Sequence, residues 1–151
     1  MAEDYQAIEV LLVDDDELDA ELTIRALRKE GLANRIYWAK DGQEGLDFVY
    51  RQGSFKDRDG ANPKLILLDI KMPKVDGIEV LRRLKSDSAT RLIPIVIMTS
   101  SDRDRDVVES YRLGVNAYVV KPIDFENLSK AITHLGFFWM AVNRLPADPG
   151  A

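Results

Sequence analysis

The feature that most constrains the fold is a set of short runs in which every residue is apolar. The clearest are V-L-L-V at 10–13, L-I-L-L at 65–68 and I-V-I-M at 95–98, and segments with helical periodicity separate them. Strands that are apolar at successive positions are typical of a parallel sheet covered on both faces. Parallel neighbours need crossover connections, which are usually helices. The pattern therefore predicts an α/β protein.

We predict five strands and their order in one sheet. The predicted strands are Glu9–Val13, Arg35–Ala39, Leu65–Leu68, Pro94–Met98 and Ala117–Val120. Amphipathic segments lie between them, and in the first of these Leu18, Leu22 and Ala26 share a face by i, i+4 spacing. Five β/α alternations predict a single doubly wound parallel sheet with strand order 2-1-3-4-5 and helices on both faces.

Composition excludes several classes of function. The 151 residues include no cysteine and a single histidine, His134, so thiol catalysis, zinc–thiolate sites and multi-histidine metal sites are excluded. The net charge of −5 gives no electrostatic case for binding nucleic acid. No apolar run approaches the length that a membrane span requires. We therefore expect a cytoplasmic protein of one domain, without a nucleic-acid or membrane partner.

Polar residues follow the predicted strands at one edge of the sheet. Asp14–Asp16 follow the first strand, Asp69 the third, Thr99 the fourth and Lys121 the fifth. In the predicted order these strand ends converge on one crevice, which is where open α/β sheets bind ligands. Clustered carboxylates repel one another unless a cation lies among them. Oxygen ligands without histidine or cysteine favour Mg²⁺, whose coordination shell readily includes a phosphate.

Four stretches resemble the receiver domains of two-component response regulators. They are V-D-D-D at 13–16, L-L-D-I-K-M-P-K-V-D-G at 67–77, M-T-S-S at 98–101 and A-Y-V-V-K-P at 117–122, in the family's order and spacing. The resemblance implies a chemotaxis-regulator-like, flavodoxin-like fold. We assign residues 1–7 to an N-terminal tail, 8–143 to a receiver domain with a C-terminal aromatic helix extension, and 144–151 to a flexible tail.

The resemblance implies a role for each matched residue. Asp69 would be the phosphoacceptor, which takes a phosphoryl group from the phosphohistidine of a sensor histidine kinase. Thr99 and Lys121 would each contact a phosphoryl oxygen, and Thr99 would act with Tyr118 as a switch. The implied ligands of Mg²⁺ are Asp14, Asp15, Asp69 and the backbone carbonyl of Lys71.

The C-terminal sequence supplies two further predictions. The stretch G-F-F-W-M at 136–140 includes Trp139 in the core-facing stripe of the last helix, but Phe137 and Met140 lie outside that stripe, and large apolar residues outside the stripe often mark an interface. Stand-alone regulators of phytochrome-type histidine kinases have similar aromatic C-termini and similar long loops before the third strand. This resemblance implies a kinase of that type as the partner. We predict a homodimer, with an interface that includes Phe137, Phe138, Trp139 and Met140.

Three functions stay open at this point. The first is a single-domain response regulator, not an enzyme, that signals through changed protein contacts or through a phosphorelay. The second is a Mg²⁺-dependent aspartyl-phosphate phosphatase, but such hydrolases typically carry an aspartate where this chain has Lys71. The third is a constitutive receiver-like interaction module, and the intact set of Asp69, Thr99 and Lys121 weighs against it.

Some features have no assigned chemistry. Asp16 adds a third acid where many receivers have a neutral residue, and we assign it no ligand role. Lys71 and Ser101 stand two residues after Asp69 and Thr99, at positions that tune dephosphorylation in the family, so the phosphate's lifetime is undetermined. The polar, turn-rich segment Gly53–Pro63 is predicted to be a surface loop.

Overall fold

The computed structural model describes residues 10–29, 31, 33, 35–101, 103–121, 126 and 130. The strands are β1 (Val10–Val13), β2 (Ile36–Ala39), β3 (Leu65–Leu68), β4 (Ile95–Thr99) and β5 (Ala117–Val120). The helices are α1 (Glu17–Lys29), α2 (Gly42–Tyr50), α3 (Gly77–Ser86) and α4 (Asp104–Arg112), with a 3₁₀ turn at Gly53–Phe55. Every predicted strand is present, with each end within one residue of its predicted position. Across the described ranges, no helix combines the length and apolarity that crossing a bilayer requires.

The five strands form one parallel sheet in the order β2-β1-β3-β4-β5, which confirms the predicted fold class. The register between neighbouring strands explains why the residues after them line one crevice. Val13 pairs with Ala39 on one side and with Leu68 on the other, so the residues that follow these strands leave the sheet side by side. At the other end of the crevice, Thr99 pairs with Val120.

Both faces of the sheet are covered, which is why the strands are apolar at successive positions. Leu11 and Leu68 belong to the core cluster on the face that packs against α2 and α3. Their neighbours Val10 and Leu67 belong to the cluster on the opposite face, which packs against α1. Successive strand side chains point to opposite faces, so each strand contributes to both clusters.

The inward face of α1 differs from the predicted one. Leu18 is 66% exposed, and the buried residues of the helix are Ala20, Thr23, Ala26 and Leu27. Ala20, Thr23 and Leu27 follow i, i+3, i+7 spacing, which defines a helical face as regularly as i, i+4 does. Two small side chains there let the helix lie close to the sheet. Of the residues predicted to share one face, Ala26 is therefore buried and Leu18 is exposed.

The segment predicted as a surface loop is partly buried. Phe55 is 5% exposed, and its ring lies edge-on to the rings of Tyr37 and Phe48 with centroids 5.3 Å apart in both pairs. The guanidinium carbon of Arg58 lies 4.2 Å from the centroid of the Phe48 ring, and its Nε donates to the Phe48 carbonyl at 2.7 Å. An aromatic anchor and a buried arginine thus fix this loop against α2, in spite of its polar sequence.

Candidate functional site

Three carboxylates meet at the carboxyl edge of the sheet, as predicted. Asp14 follows β1 and Asp69 follows β3, and the Asp69 amide donates to the Val13 carbonyl at 2.9 Å. Asp15 is the exposed neighbour of Asp14. One carboxylate oxygen from each of the three acids lies within 4.8 Å of the others. A cluster of hard oxygen ligands with this spacing fits a divalent cation.

Asp14 is buried and uses both of its carboxylate oxygens. Oδ1 accepts the amide of Asp16 at 3.0 Å, and Oδ2 accepts Nζ of Lys121 at 2.8 Å. Burial raises the pKa of Asp14 to about 6, although these two hydrogen bonds lower it. The backbone is held as well, because Nε1 of Trp38 donates to the Asp14 carbonyl at 2.7 Å. Asp14 is therefore a fixed carboxylate whose charge needs a cation beside it.

Lys121 supplies the positive charge of the site. Its Nζ lies 2.8 Å from Asp14, 3.1 Å from Asp19 and 3.5 Å from Asp69, and the side chain is 10% exposed. Burial by itself would lower the pKa of Lys121, but the hydrogen bond and charge of Asp14 outweigh burial and raise it. The amide of Lys121 donates to the Thr99 carbonyl at 2.7 Å, which ties this residue to the end of β4.

Asp69 carries an oxygen without a partner. Oδ2 faces Lys121, whereas Oδ1 is buried and accepts no hydrogen bond from any described residue. A buried carboxylate oxygen is costly unless a cation or a hydrogen bond satisfies it. This orphaned oxygen, beside the carboxylates of Asp14 and Asp15, shows that the residues present fit a metal ion.

The two predicted switch residues lie on either side of Ser101. Thr99 is fully buried at the end of β4, and its Oγ1 accepts the amide of Ser101 at 3.4 Å. The hydroxyl of Tyr118 is half-buried and donates to the Ser101 carbonyl at 2.7 Å. The Ser101 hydroxyl donates to Asp106 in α4. Ser101 thus links β4, β5 and α4, while the switching role of Thr99 and Tyr118 stays a prediction.

The remaining predicted residues either lie at the edge of the crevice or fall outside the residues that the structure describes. Lys71 is exposed and borders a groove of about 500 Å³ together with Asp15, Arg103 and Asp106. The predicted interface residues, 137–140, lie outside the described residues, and so do the two predicted tails.

Sequence reasoning missed three residues of this site. Nothing in the sequence indicated that Trp38 or Asp19 belongs to the site. Asp16 proves to be the cap of α1, because its Oδ1 accepts the amide of Asp19 at 2.9 Å. An aspartate directly before a helical pattern, with an acid three residues later, is a capping signal that could have identified it. No comparable local signal points to the contact between Asp19 and Lys121.

Comparisons with known proteins agree with this geometry. The model of the response regulator receiver domain family matches residues 10–133. Response regulator Rcp1 of Synechocystis sp. is 34% identical over 138 residues, which cover 91% of this chain and 92% of that protein. The structure of its Mn²⁺-bound form superposes with a TM-score of 0.82 over 93% of this chain and 99% of that one.

Two further solved structures are similar over most of the chain. The phosphorylated cyanobacterial phytochrome response regulator RcpA is 31% identical with a TM-score of 0.83, covering 93% of this chain and 99% of that one. The bacteriophytochrome response regulator AtBRR is 48% identical with a TM-score of 0.74, covering 92% and 99%. Because the family model matches most of the chain and these relatives are similar over nearly all of it, the chain belongs to the response regulator receiver domain family.

Proposed function

We propose that the chain is a single-domain response regulator that accepts a phosphoryl group on Asp69 from the phosphohistidine of a sensor histidine kinase. The observation that carries the proposal is the Asp69 carboxylate, whose Oδ2 faces the Lys121 ammonium at 3.5 Å and whose Oδ1 has no hydrogen-bond partner among the described residues. In the transfer, a carboxylate oxygen of Asp69 forms a bond to phosphorus while the phosphorus–nitrogen bond breaks, and the imidazole leaves with the electron pair. The phosphorylated structure of the relative RcpA supports this chemistry.

Mg²⁺ is the cofactor that we propose for the reaction. Asp14, Asp15 and Asp69 would hold it, together with the backbone carbonyl of Lys71. When bound, it supplies positive charge that neutralises phosphoryl oxygens. The Mn²⁺-bound structure of Rcp1 supports a divalent ion, and the all-oxygen ligand set favours Mg²⁺ over softer-ligand metals.

Lys121 and Thr99 would position the phosphoryl group. The ammonium of Lys121 already lies 3.5 Å from Asp69 Oδ2, so a phosphoryl group on Asp69 would meet it with little movement. Thr99 stands at the end of the neighbouring strand with a hydroxyl that has hydrogen-bonding capacity left. Phosphoryl transfer depends mainly on such positioning and charge neutralisation. We assign the chain no external substrate, because the exposed Lys71 stands where a phosphatase would place its general acid.

Output would use the surface formed by α4 and β5. Val108 and Tyr111 in α4 are 54% and 52% exposed, and Val120 in β5 is 42% exposed. Exposed apolar side chains that lie together often mark an interaction surface. We propose that phosphorylation changes homodimerisation through this surface and the C-terminal aromatic residues. The phytochrome response regulators among the relatives support a phytochrome-type kinase as the phosphodonor.

Intact-mass measurement after incubation with Mg²⁺ and acetyl phosphate tests the phosphoacceptor. We expect one phosphoryl group per chain, and none in Asp69→Asn or after addition of EDTA. Asp76→Asn is the matched control, because Asp76 is an exposed acid in the same loop whose capping role asparagine can also fill. Labelling that persists in Asp69→Asn would refute the assignment. Absence of labelling by acetyl phosphate and by a panel of phosphorylated phytochrome-type kinases would refute the function.

A further inference from the structure

Lys121 has a second close carboxylate partner that belongs neither to the metal cluster nor to the phosphoacceptor. Oδ2 of Asp19 lies 3.1 Å from Nζ of Lys121, against 2.8 Å for Asp14 and 3.5 Å for Asp69. Asp19 is not one of the three acids whose oxygens meet within 4.8 Å of one another. A cation bound by those three would therefore engage Asp14 and Asp69 and leave Asp19 to Lys121.

The position of Asp19 is fixed by its own helix turn. Its amide donates to the Asp16 side chain at 2.9 Å, and its carbonyl accepts the hydroxyl of Thr23, also at 2.9 Å. Thr23 is buried against the sheet, so this turn of α1 cannot rotate freely. Because hydrogen bonds hold both its amide and its carbonyl, Asp19 has a fixed backbone from which its carboxylate reaches the ammonium of Lys121.

An ammonium group has three N–H donors. In the structure one is directed at Asp14 and another at Asp19, while Asp69 lies farther away. A phosphoryl group on Asp69 needs at least one of these donors and the full attraction of the positive charge. Asp19 retains one donor and shares the positive charge of the ammonium with any phosphoryl group on Asp69. The carboxylate and the phosphoryl oxygens thus compete for one cation.

We propose that Asp19 is a positioning residue that competes with the phosphoryl group for the ammonium of Lys121 and so lowers the affinity of the site for a phosphoryl group. The inference rests on the proposed function, since it assumes that Asp69 carries the phosphoryl group. It assigns to the first turn of α1 a direct effect on how fully the protein is phosphorylated at a given supply of phosphodonor.

Beryllofluoride, which binds carboxylates as a phosphoryl analogue, provides an equilibrium test. Its dissociation constant would be measured by calorimetry at saturating Mg²⁺ for the wild type, Asp19→Asn and Glu17→Gln. Asparagine keeps the shape of Asp19 and removes its charge, and Glu17 is an exposed acid in the same turn. Because partly exposed ion pairs contribute up to about 1 kcal/mol, we expect Asp19→Asn to tighten binding about two- to fivefold. Glu17→Gln should bind as the wild type does.

A fluorine NMR spectrum of the bound analogue reports on the contact itself. The resonance of the fluoride nearest the ammonium should shift in Asp19→Asn and stay in place in Glu17→Gln, because only the first change releases Lys121. Unchanged or weaker binding in Asp19→Asn, or equal tightening in both variants, would overturn the inference. If the wild type itself neither binds beryllofluoride nor is labelled by any phosphodonor, the proposed function fails instead.

Discussion

Gly77 lies against Asp69, the proposed phosphoacceptor. A Cβ atom at this position would lie 2.0 Å from the carbonyl oxygen of Asp69 and 2.6 Å from the Cα atom of Ile70. Both neighbours are backbone atoms, so no change of rotamer relieves the clash. The Gly77 amide also donates to the Ile70 carbonyl at 2.7 Å. The start of α3 is therefore packed directly on the backbone of Asp69 and Ile70.

Gly77→Ala should disturb both stability and phosphorylation. Overpacking against backbone typically costs about 1–3 kcal/mol, so we expect the free energy of unfolding in urea to fall by that amount. Labelling of Asp69 by acetyl phosphate should slow as its backbone shifts. The comparison is Gly45→Ala in α2, where the added Cβ meets a side-chain atom of Val13 at 3.0 Å and alanine favours the helix by about 1 kcal/mol. Equal stability of the two variants would contradict this packing.

At this scale the sequence predicts some site residues and not others. The grouping of Asp14, Asp15 and Asp69 follows from the strand order, because residues after neighbouring parallel strands must lie close together. The bond from Lys121 to Asp19 joins residues 102 positions apart, and it depends on how α1 is rotated on the sheet. No local pattern encodes that rotation. Leu18 shares a face with the buried Ala26 by i, i+4 spacing, and yet it is 66% exposed. The structure was needed to find Asp19.

Three of the four described helices that begin at the carboxyl edge of the sheet, α1, α2 and α3, share one kind of start, whereas α4 has no side-chain cap. Asp16, Asp41 and Asp76 each accept the amide three residues ahead with a side-chain oxygen, at 2.9, 2.8 and 3.0 Å. A carboxylate in this position satisfies a free helix amide and interacts favourably with the helix dipole. The acids at this edge of the sheet therefore fall into two groups. Those that directly precede a helix cap it, and Asp14, Asp15 and Asp69 are the candidate metal ligands.

Substitutions at Asp16 can separate capping from metal binding. Asp16→Ala should lower the free energy of unfolding by about 1 kcal/mol, because the first turn of α1 loses its cap. Asp16→Asn should be close to the wild type, since asparagine caps equally well. Urea denaturation of both variants, with and without Mg²⁺, measures the effect. Loss of Mg²⁺ binding in Asp16→Asn would show that the carboxylate serves the metal instead.

Elements were predicted well where burial determines the pattern. The central strands β1, β3 and β4 are buried at every position, so runs of apolar residues located them within one residue. The segment 53–63 lies largely at the surface, as predicted, but the sequence did not indicate that Phe55 and Arg58 are buried within it. An arginine that stacks on the Phe48 ring and donates to the carbonyl of the same residue is not distinguishable in sequence from a solvated one.

The crevice exists only in the folded molecule. Asp14 and Asp15 follow β1, Asp69 follows β3, and Lys121 follows β5 at the far side of the sheet. Unfolding separates these groups, so a cation that needs several of them binds the native state almost exclusively. Such a ligand stabilises the fold by an amount that grows with its concentration.

Thermal unfolding with and without Mg²⁺ tests the crevice as a unit. The wild type should melt at a higher temperature with Mg²⁺, with a gain of about 2.7 kcal/mol when the ion is at one hundred times its dissociation constant. Asp15→Asn and Asp69→Asn should lose most of this gain, because each removes one of three clustered carboxylates. Asp16→Asn removes a neighbouring charge from a cap and should keep the full gain. A full gain in Asp15→Asn would place the ion elsewhere, whereas the expected pattern would mean that the ion binds where β1 and β3 end.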